Sequence, residues 1–166
     1  MTAFYLAAAI AIVSTAMVIT RSNAVHALLY LVVSLLAVAV VFYVLGAPFA
    51  AALEVIIYAG AIMVLFAFVV MMLSLGSRAE AIERRWTRSA VWIGPGLLAL
   101  ILAGELGYLL LASHATSGVL RAVPIGPARV GRGLFGPYLL AVELASMLLL
   151  AALAGAYHLG REQSEE

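Results

Sequence analysis

Five long and almost uncharged apolar stretches follow one another along this 166-residue chain, and no other feature limits its fold so tightly. A helix rises about 1.5 Å per residue, so about 20 apolar residues cross a hydrocarbon core of about 30 Å. The expected architecture is all-α: a polytopic membrane protein in which residues 1–166 form a single membrane domain, a bundle of five transmembrane helices. With 66% apolar and 10% charged residues and a mean hydropathy of +1.18, the chain is neither a soluble globular domain nor a disordered one.

The first run, about 3–20, stops at Arg21-Ser22-Asn23, where Asn23 is a good N-cap for the next helix. It lacks the basic residues of a signal-peptide n-region and reads as a span that stays. The second run, 24–45, ends at Gly46-Ala47-Pro48, a turn short enough to make spans two and three antiparallel neighbours. The third, 49–75, would be about 40 Å long as a regular helix, so it must tilt, project or contain a wide turn. A polar connector from Gly76 to Ser89 holds Arg78, Arg84, Arg85, Trp86 and Arg88, the make-up of a membrane-surface loop. Span four, 90–112, carries Gly94-Pro95-Gly96 near its entry, and Ser113 to Gly136 reads as a long loop. Span five, 137–158, precedes a charged tail, 159–166.

Positively charged loops stay in the cytoplasm. With the N-terminus outside, the inner side collects Arg21, the four connector arginines and Arg161, six against the three of Arg121, Arg129 and Arg132. The expected orientation is N-out/C-in. All nine basic residues are Arg and all eight acidic ones Glu, a near-balance that argues against nucleic-acid binding. Without cysteine the chain forms no disulfide, thiolate zinc site or iron–sulfur cluster of its own.

Gly131-Arg132-Gly133-Leu134-Phe135-Gly136 spells GxGxxG, but a dinucleotide fingerprint needs a preceding strand, so the match is one of chance. His26 and His158 fall at span ends and His114 in a loop, so no metal or haem pair is expected. The informative residues are Glu54, Glu105 and Glu143, each embedded in an apolar span. An unpaired carboxylate there costs several kcal/mol, so each must be protonated, paired or facing a hydrated interior. Counted from the span ends, all three lie about 9–10 Å below the outer boundary, as if in one polar layer suited to taking up and releasing protons. The plainer alternative for each is a helix–helix hydrogen bond.

Span three carries a second oddity, Tyr58-Ala59-Gly60-Ala61. Tyr58 follows Glu54 by one turn on the same face, and glycine weakens a helix locally. Small residues usually mean close packing. Combined with the excess length, they point to a helix able to hold a π-type wide turn and to switch between two registers. Ser34, Ser146 and Met147 read as packing points.

Three segments then carry a family resemblance: Asn23-Ala24-Val25-His26-Ala27-Leu28-Leu29-Tyr30-Leu31; Ala52-Leu53-Glu54-Val55-Ile56-Ile57-Tyr58-Ala59-Gly60-Ala61-Ile62-Met63-Val64-Leu65-Phe66; and Leu134-Phe135-Gly136-Pro137-Tyr138 through Glu143-Leu144-Ala145-Ser146-Met147-Leu148-Leu149-Leu150. They resemble the subunit J family of bacterial NADH:quinone oxidoreductase, respiratory complex I. The resemblance covers the whole chain, with spans two, three and five matching best and Glu105 outside the family pattern. It implies a multi-pass membrane-arm subunit of a translocase in the bacterial cytoplasmic (inner) membrane. Such a subunit sits near the quinone end of the respiratory-chain complex, beside the A, H and K subunits and membrane lipid. It implies no cofactor and no catalytic residue in this chain, since NADH, FMN, the iron–sulfur clusters and the ubiquinone-type substrate belong to partner subunits. In the family the third span holds a π-bulge beside the matching tyrosine, and its straightening accompanies changes in hydration during electron transport. Glu54, Tyr58 and Gly60 are the positions that carry over to this switch in proton translocation. Glu143 matches a family position, and Glu105 is the weaker candidate.

Two other classes compete with this reading. A small proton-coupled antiporter would also use intramembrane glutamates, though the chain shows no internal repeat. A purely structural membrane subunit would need no switch.

Overall fold

The computed structural model describes residues 2–73, 90–115 and 125–161. Arg78, Arg84, Arg85, Trp86 and Arg88 of the third connector, Arg121, and the tail beyond Arg161 lie outside the described residues. Every regular element among those described is helical: α1 (Thr2–Thr20), α2 (Ala24–Val44), α3 (Pro48–Leu53), a wide π-helix π1 (Glu54–Ile62), α4 (Met63–Leu73), α5 (Ala90–Ala115), α6 (Pro127–Leu134) and α7 (Leu139–Arg161). Five segments are long and apolar enough to cross a membrane: Thr2–Thr20, Ala24–Val44, Pro48–Met72, Trp92–Leu111 and Leu139–Arg161. They follow the five expected spans within a few residues. The chain divides into two compact units, Met1–Pro124 and Ile125–Glu166.

In the first unit α2 is the central helix, packed by α1, by α5 and by α3, π1 and α4. Its start is fixed as the sequence predicts: Asn23 Oδ1 accepts from the backbone N–H of Val25 at 2.8 Å and of His26 at 3.2 Å. Its end is a Schellman turn. Gly46 adopts φ 83°, the Gly46 N–H donates to the Tyr43 carbonyl at 3.0 Å, and the Ala47 N–H donates to Phe42 at 3.0 Å. Pro48 then opens α3 at the position where a missing N–H costs nothing.

The core is a seam between α1, α2 and α5, made of Ala7, Ile10, Val33, Ala37, Val40 and Leu102. Ala7 and Ala37 are fully buried, as small residues are where two membrane helices approach closely. Two side-chain hydrogen bonds span the α1–α2 contact: the Ser34 hydroxyl bonds the Thr15 hydroxyl at 2.8 Å and donates to the Ala11 carbonyl at 3.4 Å. Ser34 thus holds two helices together instead of serving as a mere packing point. On α5, Pro95 lies inside the helix without ending it, and Leu98, Leu102 and Leu109 line the face turned to the core.

In the second unit the structure departs from the expected loop, because residues 127–134 form the short helix α6. The departure has a physical reason: Pro127 occupies the first turn, and Arg129, Val130, Arg132 and Leu134 fall on two opposite faces, a pattern that the surrounding glycines and prolines obscure. The GxGxxG segment is the end of α6 and the turn beyond it. A Cβ at Gly136 would lie 2.6 Å from the Arg132 carbonyl oxygen, so this turn tolerates no side chain there. Span five then begins at Leu139, and Pro137 belongs to the turn.

Candidate functional site

The third span changes its hydrogen-bond register in its middle. At its entry the Glu54 N–H donates to the Ala50 carbonyl, four residues back. At its exit the Met63 N–H reaches the Tyr58 carbonyl, five residues back. The expected wide turn is therefore present, and it contains Glu54, Tyr58 and Gly60. Gly60 suits it sterically: a Cβ would stand 3.2 Å from the carbonyl oxygen of Val55, five residues earlier, closer than ordinary contact. Such π-type segments are rare and occur mostly at functional positions.

Glu54 and Tyr58 are the only polar side chains between Pro48 and Leu73. Glu54 is half-buried and Tyr58 is 49% exposed, and no hydrogen bond joins them among the described residues. Next to Glu54, Val55 helps to line an apolar groove of about 370 Å³. Its floor is α2, with Leu36, Val40 and Tyr43; its walls are Ala51, Ala52 and Val55 on one side and Ala99, Leu102 and Leu106 of α5 on the other. Toward the other end of the span, an apolar gap of about 560 Å³ is lined by Leu28, Leu29 and Val32 of α2 and by Met63, Ala67 and Val70. Span three is thus gripped by α2 along one side and bordered by open apolar space.

The three intramembrane glutamates have three different surroundings. Glu105 is 9% exposed and lies on α5 between Leu102 and Leu109, on the face turned to the α1–α2 seam. Both its carboxylate oxygens are shut off from the surface and have no hydrogen-bond partner among the described residues. Glu54, by contrast, sits on the span-three side of α2, and no described contact joins it to Glu105. Glu143 belongs to the second unit, is exposed on α7, and its backbone carbonyl accepts from the Ser146 hydroxyl at 2.7 Å. Within the first unit the wide turn with Glu54, Tyr58 and Gly60 stands as the candidate site.

Of the histidines, His26 lies in the first turn of α2, capped by Asn23, and His158 in the last turn of α7. No group of three or more His, Cys, Asp or Glu residues placed to hold a metal ion occurs among the described residues. Sequence reasoning missed the Thr15–Ser34 clamp, the helix α6 and the groove beside Val55. The first could have been sought in facing hydroxyls of consecutive spans, the second in the two-faced pattern after Pro127.

Comparison with known proteins agrees with the architecture. Residues 14–159 match the family described as NADH-ubiquinone/plastoquinone oxidoreductase chain 6. The chain is 56% identical to NADH-quinone oxidoreductase subunit J of Pseudomonas aeruginosa, over 99% of this chain and 98% of that protein. It is 55% identical to the protein of the same name from Escherichia coli K12, over 97% of this chain and 86% of that one. A third, from Buchnera aphidicola of Schizaphis graminum, is 46% identical over 96% and 97% of the two chains. A match over nearly the whole length, spanning the wide turn and all five apolar helices, makes this chain a member of the NADH-ubiquinone/plastoquinone oxidoreductase chain 6 family.

Proposed function

We propose that the chain is a membrane subunit of NADH:quinone oxidoreductase, complex I, in which span three couples quinone reduction to proton translocation. The relatives' shared name and the multi-pass architecture support the first part. The observation that carries the second is the register change between Glu54 and Met63.

The coupling follows from helix geometry. Re-pairing π1 from five-back to four-back bonds turns everything after it by on the order of one residue's step, about 100°, and shifts it by about 1.5 Å. Such a rotation needs a helix with no preferred face. Met63–Leu73 reads MVLFAFVVMML, without a polar residue, so successive faces are equally able to pack on α2 or to meet lipid. The rotation carries Tyr58 relative to Glu54 and opens or closes a water path beside them. Electron transfer in partner subunits drives this step, and the redox chemistry of NADH, FMN, iron–sulfur clusters and quinone stays there. This chain supplies the moving element and the two polar groups on it, with Glu143 as a further position on the proton path.

In this reading the five spans act as one membrane domain of the bacterial inner membrane, N-out and C-in, beside the A, H and K subunits. Isolation of the tagged chain from its native membrane tests the first claim. Recovery in a large assembly that reduces quinone with NADH is expected, whereas recovery alone or as a small homo-oligomer defeats it. For the second claim, a Gly60→Leu complex is expected to pump fewer protons per NADH oxidised, and an unchanged ratio refutes the switch.

A further inference from the structure

We propose that the short helix α6 is a binding site for the phosphate of an anionic phospholipid, held by Arg129 and Arg132 at the mouth of span five. The proposal is independent of the wide turn and rests on how α6 divides its two faces.

Arg129 and Arg132 lie three residues apart on α6, about 60° apart around its axis. Val130 and Leu134 lie four apart, about 40° around the axis, and their mean direction is about 150° from that of the arginines. No other described helix of eight residues or more is so sharply two-sided. A helix of eight residues with two glycines inside it is marginal in water by itself, so its apolar face must rest on something. The following turn adds large exposed rings: Phe135 is 76% and Tyr138 63% exposed. Aromatic residues at the start of a membrane span mark the level of the headgroups.

The position of α6 relative to span five is fixed by the backbone. The Phe135 N–H donates to Gly131 at 2.9 Å, Tyr138 to Gly133 at 3.1 Å, and Leu139 to Gly136 at 3.2 Å, which carries α6 into α7 through one bonded turn. With α7 crossing the bilayer, α6 lies within one turn of its surface, the apolar face toward the acyl chains and the arginines toward the headgroups.

Charge selects the occupant. Both arginines are exposed and neither has an ionic partner among the described residues. The only acidic residue described in this unit is Glu143, in the second turn of α7. Neighbouring positions three apart on a helix hold their side chains about 5–6 Å from each other at Cβ, so two guanidinium forks converge on one phosphate or bridge the two phosphates of a doubly anionic headgroup. A zwitterionic headgroup offers the same phosphate with its charge cancelled, and an acidic protein surface would leave Val130, Leu134 and Phe135 without an apolar medium. The anionic lipid satisfies both faces at once.

The test is photo-crosslinking in the native assembly that carries the chain, reconstituted in nanodiscs with a trace of photoactivatable phosphatidylglycerol or phosphatidylcholine. Peptide mass spectrometry then reads the lipid attached to residues 125–138. Labelling by the anionic probe is expected to exceed that by the zwitterionic one. Each arginine removed should lower it about fivefold, and Arg129→Gln with Arg132→Gln by about 25-fold. Arg129→Lys with Arg132→Lys keeps the charge without the fork and should fall between. Equal labelling by the two probes, unchanged labelling in the double Gln variant, or crosslinks from this segment to an acidic protein segment instead of lipid would each overturn the proposal. Should the double variant fail to assemble, Arg132→Gln alone gives the same reading at the smaller ratio.

Discussion

Gly60→Ala isolates the register of span three from its composition. Alanine is better than glycine in a helix interior by about 1 kcal/mol, and that gain applies in either register. The difference arises from one contact. In the wide register the new Cβ meets the Val55 carbonyl oxygen at 3.2 Å, a few tenths of an ångström inside ordinary contact. The carbonyl is part of the helix and can give way only by distorting it. In the four-back register the introduced methyl sits in a standard helical environment. Crowding of one added methyl in packed structure costs about 1–3 kcal/mol, so the wide register should lose at least about fivefold in population relative to the regular one. In proteoliposomes, NADH-driven proton uptake by the assembled variant should slow by up to that factor. NADH oxidation by an artificial acceptor, which bypasses the membrane arm, should stay unchanged. A structure of the variant should show the Met63 N–H on the Ala59 carbonyl in place of Tyr58. Unchanged proton uptake together with a retained five-back bond would refute the reasoning, since Gly60 would then be replaceable without consequence for the register.

Three further outcomes follow from individual side chains. Glu54→Gln keeps the volume and removes the ionisable group, and it should slow proton uptake in fully assembled complex; uptake at the native rate would leave Glu54 a packing residue. Glu105→Leu should leave the thermal stability of the complex unchanged or raise it, because both carboxylate oxygens are buried without a partner among the described residues and an apolar side chain of similar size leaves nothing unsatisfied; a lowered melting temperature would reveal a partner for the carboxylate. Thr15→Val and Ser34→Ala each break the 2.8 Å bond between α1 and α2, and a double-mutant cycle should return a coupling of about 0.6 to 1.7 kcal/mol, while a coupling near zero would assign their burial to packing alone.

What could be read from sequence was whatever depends on runs and local chemistry. The five spans were legible because hydrocarbon thickness imposes their length, and Asn23 and Gly46 were legible as punctuation because capping is decided within a few residues. The wide turn was legible as well, through a run longer than the bilayer needs and a glycine beside a lone tyrosine. The surroundings of the glutamates were not legible in the same way. The expected polar layer rests on depth, and depth says nothing of azimuth: Glu105 falls on the α5 face turned to the α1–α2 seam, while Glu54 lies where span three meets α2. A chain that is apolar on every side offers no amphipathic stripe from which to read which way a helix turns. Where a stripe did exist, in Arg129-Val130-Gly131-Arg132, it was hidden by the glycines and prolines that spell a loop.

That lack of a stripe is also the physical condition for a switch. In water a helix cannot rotate by about 100° without exposing its apolar face, but in lipid the rotated and unrotated states of α4 bury and expose the same kind of surface. Val64 is 67% and Leu65 62% exposed, whereas Met63 is 5% exposed against α2. Exchanging such neighbours replaces one apolar side chain with another and leaves no group unsatisfied. Hydrophobicity therefore sets almost no preference between the two registers, and the choice falls to Glu54 and Tyr58, the two polar side chains of the span, and to the steric allowance at Gly60. All three lie inside π1. A change of protonation or of a hydrogen-bond partner at Glu54 or Tyr58, worth about 1–3 kcal/mol, is then enough to move the register by one to two powers of ten. The same change at Glu105 would act on a helix held in the seam by Leu98, Leu102 and Leu109, with no alternative pairing to adopt. In the proposed switch the two carboxylates therefore differ in what each is attached to: a segment for which two registers are proposed in the first case, and a single packed arrangement in the second.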